Sequence, residues 1–207
     1  MIGLTRFVLF ASLLVAAGFA RGDTASERLE KFLSDVKTLR ASFVQTVYDE
    51  HHRELQRGSG FLLLSRPGRF RWTYIEPTEQ IIVADGLSIW VHDVELDQVS
   101  VALQSLALRN TPAVLLAGGG RITDDFDVRD LGLERDYQWA EMTPHDQSGD
   151  FTRLRAGFGL KDLRVIEIDD RLGRTTRIEF RDVVRNLELD PKEFKFEPQN
   201  AFDVFQG

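Results

Sequence analysis

From about Ala41 onward, apolar residues recur at every second position, and with one interruption they do so to the end of the chain. Such alternation marks β-strands, because successive side chains of a strand point to opposite faces. Ala41, Phe43 and Val47 alternate with Ser42 and Thr46. A polar tip at 49–54 leads to a second strand at 55–65. Phe70, Trp72 and Tyr74 then alternate with Arg69, Arg71 and Thr73, which gives one aromatic face. Arg66-Pro67-Gly68 is a turn by residue type. Asp85-Gly86, between 80–84 and 87–92, suits a type I′ hairpin. Further strands are predicted at 98–102, 126–131, 137–143, 151–156, 163–169 and 175–180, with a last short one at 194–196. About ten short strands in series predict a mainly β fold, one antiparallel sheet closing on itself.

Two stretches break the period. Thr24-Ala-Ser-Glu27 has the capping-box pattern, and Leu29, Phe32, Leu33, Val36 and Leu39 repeat at helical spacing behind it. In the middle, Leu103, Leu106 and Ala107 predict a short helix. Thr111 is then an N-cap, Pro112 a first helical residue, and Val114, Leu115 and Leu116 share about one turn before Gly118-Gly119-Gly120. Phe61-Leu62-Leu63-Leu64 and Ile81-Ile82-Val83 are apolar on both faces, so both faces need a cover. The amphipathic helices are the available covers.

Residues 1–20 carry one arginine, no acid and an apolar run at 7–19 that is too short to span a bilayer. Gly18 and Ala20 supply small residues for cleavage after Ala20, or failing that after Gly22. The reading is a signal peptide at 1–20, one domain at 21–207, and an exported, periplasmic product. The net charge of −7 argues against a nucleic-acid partner. The chain has no cysteine, which removes disulfides, thiolate metal sites, thiol catalysis and a lipid-attachment site.

Little else points to chemistry. His51 and His52 are adjacent, so on a strand they face opposite ways and suit no shared metal; His92 and His145 each stand beside a lone aspartate. Gly58-Ser59-Gly60 sits within a strand and reads as a bend or bulge, not a nucleophile elbow. No catalytic residue, metal site or cofactor is expected. The Phe70/Trp72/Tyr74 face is either ordinary core or the wall of a cavity for an apolar ligand. The helix at 112–117 is either a packed cover or one that opens.

Ser65-Arg66-Pro67-Gly68-Arg69-Phe70-Arg71-Trp72, then Pro77, Ile82-Val83-Ala84-Asp85-Gly86, Ile89-Trp90 and Asp93 resemble the family of periplasmic chaperones that carry outer-membrane lipoproteins (LolA). Gln98, Asn110-Thr111-Pro112, Phe43, Gln45, Phe194, Phe196 and Pro198 extend the likeness. The absence of cysteine separates the chain from the lipid-anchored receptor relative (LolB). The resemblance implies an incomplete antiparallel β-barrel of about ten or eleven strands, covered by an α-helical lid and enclosing an apolar cavity for acyl chains. It places Phe43, Leu62, Leu64, Phe70, Trp72 and Tyr74 at the cavity, and Val114, Leu115 and Leu116 in the lid. Arg66 becomes a latch to the lid. The implied partners are lipoprotein cargo, an inner-membrane ABC transporter complex and an outer-membrane lipoprotein receptor, with the carrier a monomer. A related lipid-binding sensor domain of the periplasm is the alternative reading.

Overall fold

The protein is described by a computed structural model over residues 22–107, 121–196 and 204–206. The capping box at its start is formed. Thr24 Oγ1 accepts from the Glu27 N–H at 3.2 Å, and Glu27 Oε2 accepts from the Thr24 N–H at 2.8 Å. They open helix α1 (Ala25–Asp35), whose Ala25, Leu29 and Phe32 are buried.

The period-two segments form the strands β1 (Thr38–Tyr48), β2 (Glu54–Ser65), β3 (Arg69–Glu76), β4 (Gln80–Asp85), β5 (Ser88–Asp93) and β6 (Gln98–Leu103). After two short helices, α2 (Gln104–Ala107) and α3 (Ile122–Asp125), come β7 (Phe126–Glu134), β8 (Tyr137–Pro144), β9 (Phe151–Phe158), β10 (Leu163–Asp170) and β11 (Thr175–Arg185). A short β12 (Val204–Gln206) ends the described chain. All belong to one open sheet in the order β12-β6-β5-β4-β3-β2-β1-β11-β10-β9-β8-β7. From β6 to β7 every neighbour is antiparallel, as expected. β12 adds a parallel strand on β6 that the pattern did not foretell.

The sheet curls around α1. This helix packs on β7, β8 and β9, and its Leu33 carbonyl meets the turn between β2 and β3. Strands β2 and β7 stand six places apart, about 29 Å on a flat sheet at the usual strand spacing. An eleven-residue helix is only about 16 Å long, so it bridges them only if the sheet is concave. The concave face gathers one core, including Leu39, Phe43, Leu62, Leu64, Phe70, Met142, Leu154, Phe158 and Phe180.

Glycine makes part of that curvature possible. The β2–β3 register shifts between Ser59 and Gly60. A Cβ on Gly60 would lie 1.9 Å from the Thr73 carbonyl oxygen, so no side chain fits. Gly58-Ser59-Gly60 is therefore a bulge, as its place in a strand predicts.

Three expectations need correction. The Asp85-Gly86 turn is not type I′. Of the residues there only Gly86 has a positive φ, 103°, and the Asp85 carboxylate accepts from the Leu87 and Ser88 N–H groups, fixing the bend by side chain. Residues 194–196 are not a strand. Pro191–Phe194 is a 3₁₀ turn, because Pro191 donates no ladder hydrogen bond and Asp190 caps the Lys192 N–H at 2.9 Å. Among the described residues, part of the outer side of β3–β6 is covered by this C-terminal segment and not by an amphipathic helix. Phe194 lies over β3 and β4, and Phe196 stacks on Trp90 with ring centroids 5.5 Å apart.

Candidate functional site

The alternation in β1, β2 and β3 turns Phe43, Leu62, Leu64, Phe70, Trp72 and Tyr74 to the same concave face. Five of the six are buried, and Tyr74 is half-buried. Leu62 pairs with Ala41 and Trp72, and Leu64 with Leu39 and Phe70. Gly60 lies between Phe43 and Tyr74 in register, and its missing side chain admits the backbone of Thr73 and Tyr74. Phe43 stands 4.5 Å from Trp72 and 5.2 Å from Tyr74, centroid to centroid, and Phe180 of β11 closes the group 6.4 Å from Trp72. Tilted and edge-on contacts of this kind suit the ring quadrupoles. Phe180 was not singled out from the sequence, because only the β1–β11 pairing brings it opposite Phe43. Tyr74 donates to Gln45 Oε1 at 3.0 Å. Burial raises its phenol pKa, with the hydrogen bond to Gln45 acting the other way. The wall is thus apolar with one polar tip.

Arg66 stands at the rim of this wall, in the β2–β3 turn. Its Nη1 donates to the Leu33 carbonyl of α1 at 2.6 Å, and its guanidinium lies 5.3 Å from the Phe32 ring centroid. Burial pushes its pKa down to about 10, still above neutral pH. α1 has no basic residue in its own last turn. Arg66 supplies the positive charge that a helix C-terminus favours, and Lys37 Nζ adds a second at the Ser34 carbonyl, 2.7 Å away. The opposite end of α1 is held by Asp130 of β7, whose carboxylate accepts from the Ala25 N–H at 2.8 Å. Arg28 ties the middle to β8 and β9, reaching Gln138 Oε1 at 3.0 Å and stacking on Phe158.

The acceptor described for Arg66 thus belongs to α1. The lid residues Val114, Leu115 and Leu116 lie outside the described residues. Beside the rim, a groove of about 550 Å³ between α1 and α3 is lined by Glu27, Lys31, Leu33, Arg121 and Ile122 among others. Its lining mixes charged and apolar side chains and includes none of the aromatic wall's residues. Gln104, which reaches the same β2–β3 turn, gave no signal in the sequence: one polar residue before an apolar run has no periodic meaning.

An apolar concave face with a helix hooked across it suits a binding role, and comparison with known proteins decides the family. The family model of the outer membrane lipoprotein carrier protein LolA matches residues 34–197. The outer-membrane lipoprotein carrier protein of Nitrosospira multiformis is 40% identical over 199 residues, covering 96% of this chain and 93% of the relative.

The chain belongs to the LolA family.

The carrier protein of Methylococcus capsulatus is 36% identical over 202 residues, 97% of either chain. Among solved structures, a conserved protein of Thermus thermophilus superposes with a TM-score of 0.58 at 12% identity, covering 88% of this chain and 97% of that one. That likeness bears on the fold alone, and the fold is the open antiparallel sheet described above. LolA family carriers are chaperones, so membership turns attention from chemistry to binding.

Proposed function

We propose that this chain is a periplasmic carrier that shields the acyl chains of lipoproteins between the two membranes. The observation that carries the reading is the aromatic concave wall with α1 hooked across its rim by Arg66, in a chain of the LolA family. In this reading residues 1–20 direct export, and the segment with Val114, Leu115 and Leu116 forms an apolar lid over the wall. Cargo arrives from an inner-membrane ABC transporter complex and leaves to an outer-membrane receptor. The carrier works as a monomer, by binding and release alone.

Magnitudes divide the labour. Burying an acyl chain of about sixteen carbons is worth roughly 13 kcal/mol. A hydrogen bond from a charged group is worth about 1.5–3 kcal/mol. Arg66 therefore cannot expel cargo into water. It biases the balance between an empty state, in which it is bonded, and a loaded state, in which cargo displaces it. An acceptor that offers equal apolar surface supplies the rest. The test is a two-step assay with purified components and a triacylated lipoprotein. The wild-type carrier should hold cargo in buffer and release it only to a receptor. Arg66→Leu should fold, accept cargo and hand it on ten- to a hundredfold less well. Normal hand-off by the variant overturns the latch. Absence of co-purified acylated lipoprotein, by mass spectrometry of the native periplasmic protein, overturns the carrier.

A further inference from the structure

We propose that Gln104 is the positioning residue of the turn that carries Arg66, a role that rests on the carrier reading above. Gln104 opens α2 directly after β6, and it is 7% exposed. Its amide is shared by two turns. Nε2 donates to the Gly68 carbonyl at 2.7 Å, and Oε1 accepts from the Gly86 N–H at 3.0 Å. Its backbone N–H donates to the Leu87 carbonyl at 2.9 Å.

Both partners are glycines at positive φ, 75° at Gly68 and 103° at Gly86, and neither has a side chain to hold it in place. A Cβ on Gly68 would stand 3.4 Å from Gln104 Nε2, so the amide fills the space that the glycine leaves.

The β2–β3 turn is consequently held at two points. At its start the Arg66 N–H donates to the Lys37 carbonyl at 2.8 Å; at its end Gly68 accepts from Gln104. Between these points the guanidinium reaches across to Leu33. Hydrogen bonds weaken steeply with distance and misalignment. A turn free to drift at Gly68 therefore meets α1 less often in bonding geometry. The amide also ties the turn to the β4–β5 hairpin, so Arg66 is set against the rigid sheet and not against its own turn alone. Gln104 thus returns Arg66 to α1 after cargo has displaced it.

The test is a double-mutant cycle in the receptor hand-off assay, with the full chain and a triacylated lipoprotein as cargo. Gln104→Leu removes both side-chain bonds at similar volume. It should slow hand-off about fivefold, the factor for the one hydrogen bond that holds Gly68, and change nothing further in the Arg66→Leu background. Equal slowing in both backgrounds overturns the proposal, because Gln104 then acts apart from Arg66. Normal hand-off by Arg66→Leu overturns the latch itself and the proposal with it.

The side-chain N–H resonances of Arg66 in nitrogen-15 spectra give a readout that bulk stability does not move. They should shift in Gln104→Leu, and unchanged resonances overturn the proposal. If Gln104→Leu loses its thermal transition, Gln104→Glu carries the same test, since it keeps the acceptor for Gly86 and loses the donor to Gly68. Unfolding of both variants overturns the proposal by making the amide a condition of the fold.

Discussion

Strands β7–β11 and strands β3–β6 contribute to one concave core, yet their outer faces are closed in different ways. On β7–β11 the outer face is a ladder of alternating charge. Arg129, Glu141, Arg155, Glu167 and Arg177 stand directly opposite one another on successive strands. Arg129 meets Glu141 at 2.6 Å, and Glu167 takes both Arg155 and Arg177. Arg153 pairs with Asp169, whose hydrogen bond raises its pKa. On β3–β6 the outer face carries Val83, Trp90 and Val99 instead, and the C-terminal segment covers part of it through Phe194 and Phe196. The first face is finished by its own neighbours in register. The second is finished by residues about a hundred positions away in the sequence, so its integrity depends on the chain end.

The largest expected effect tests that dependence. Phe194 is 2% exposed, and a buried phenylalanine cut to alanine costs about 3–5 kcal/mol. Phe194→Ala should lower the denaturation midpoint and speed hydrogen exchange in β3 and β4 while β8–β11 stay protected. A uniform loss of protection across the sheet would break the comparison.

A smaller effect belongs to the ladder. Glu167→Gln leaves two partly exposed arginines with a weaker acceptor, which should cost roughly 1–2 kcal/mol. Added salt should narrow the gap between variant and wild type. A salt-independent gap would make the ladder a packing feature and not an electrostatic one.

The smallest effect lies on the concave wall. Tyr74→Phe loses one hydrogen bond to Gln45, worth about 1 kcal/mol. The raised phenol pKa also has a sign. Above the ordinary tyrosine value of about 10 the unfolded chain releases this proton before the folded one, so stability falls as pH rises through and beyond that value. The variant should lack this part of the alkaline loss. Parallel pH profiles of the two proteins by calorimetry would place the Tyr74 hydroxyl in water.

The concave wall was legible because alternation is local: Phe70, Trp72 and Tyr74 must share a face on any strand. The capping box at Thr24 and the bulge at Gly60 were legible for the same reason, each being settled within a few residues. The outer ladder was present as Arg153, Arg155, Glu167, Asp169 and Arg177, but charges in separate strands mean nothing until register pairs them. The cover of β3–β6 was needed by Ile81-Ile82-Val83, yet the sequence pattern pointed to helices. Only the fold brings Phe194 there.

By itself, then, the amino-acid order determined the strands β1–β11, the first helix and the side on which the aromatic residues stand, because sterics and hydrogen bonding act over one to four residues. Tertiary structure alone decided that β1 pairs with β11, that Arg66 finds its acceptor on Leu33, and that Gln104 holds Gly68 and Gly86 together. These contacts join segments separated by about 20 to 140 positions. Their free energy depends on chain closure and on the curl of the whole sheet, which no local window of sequence contains.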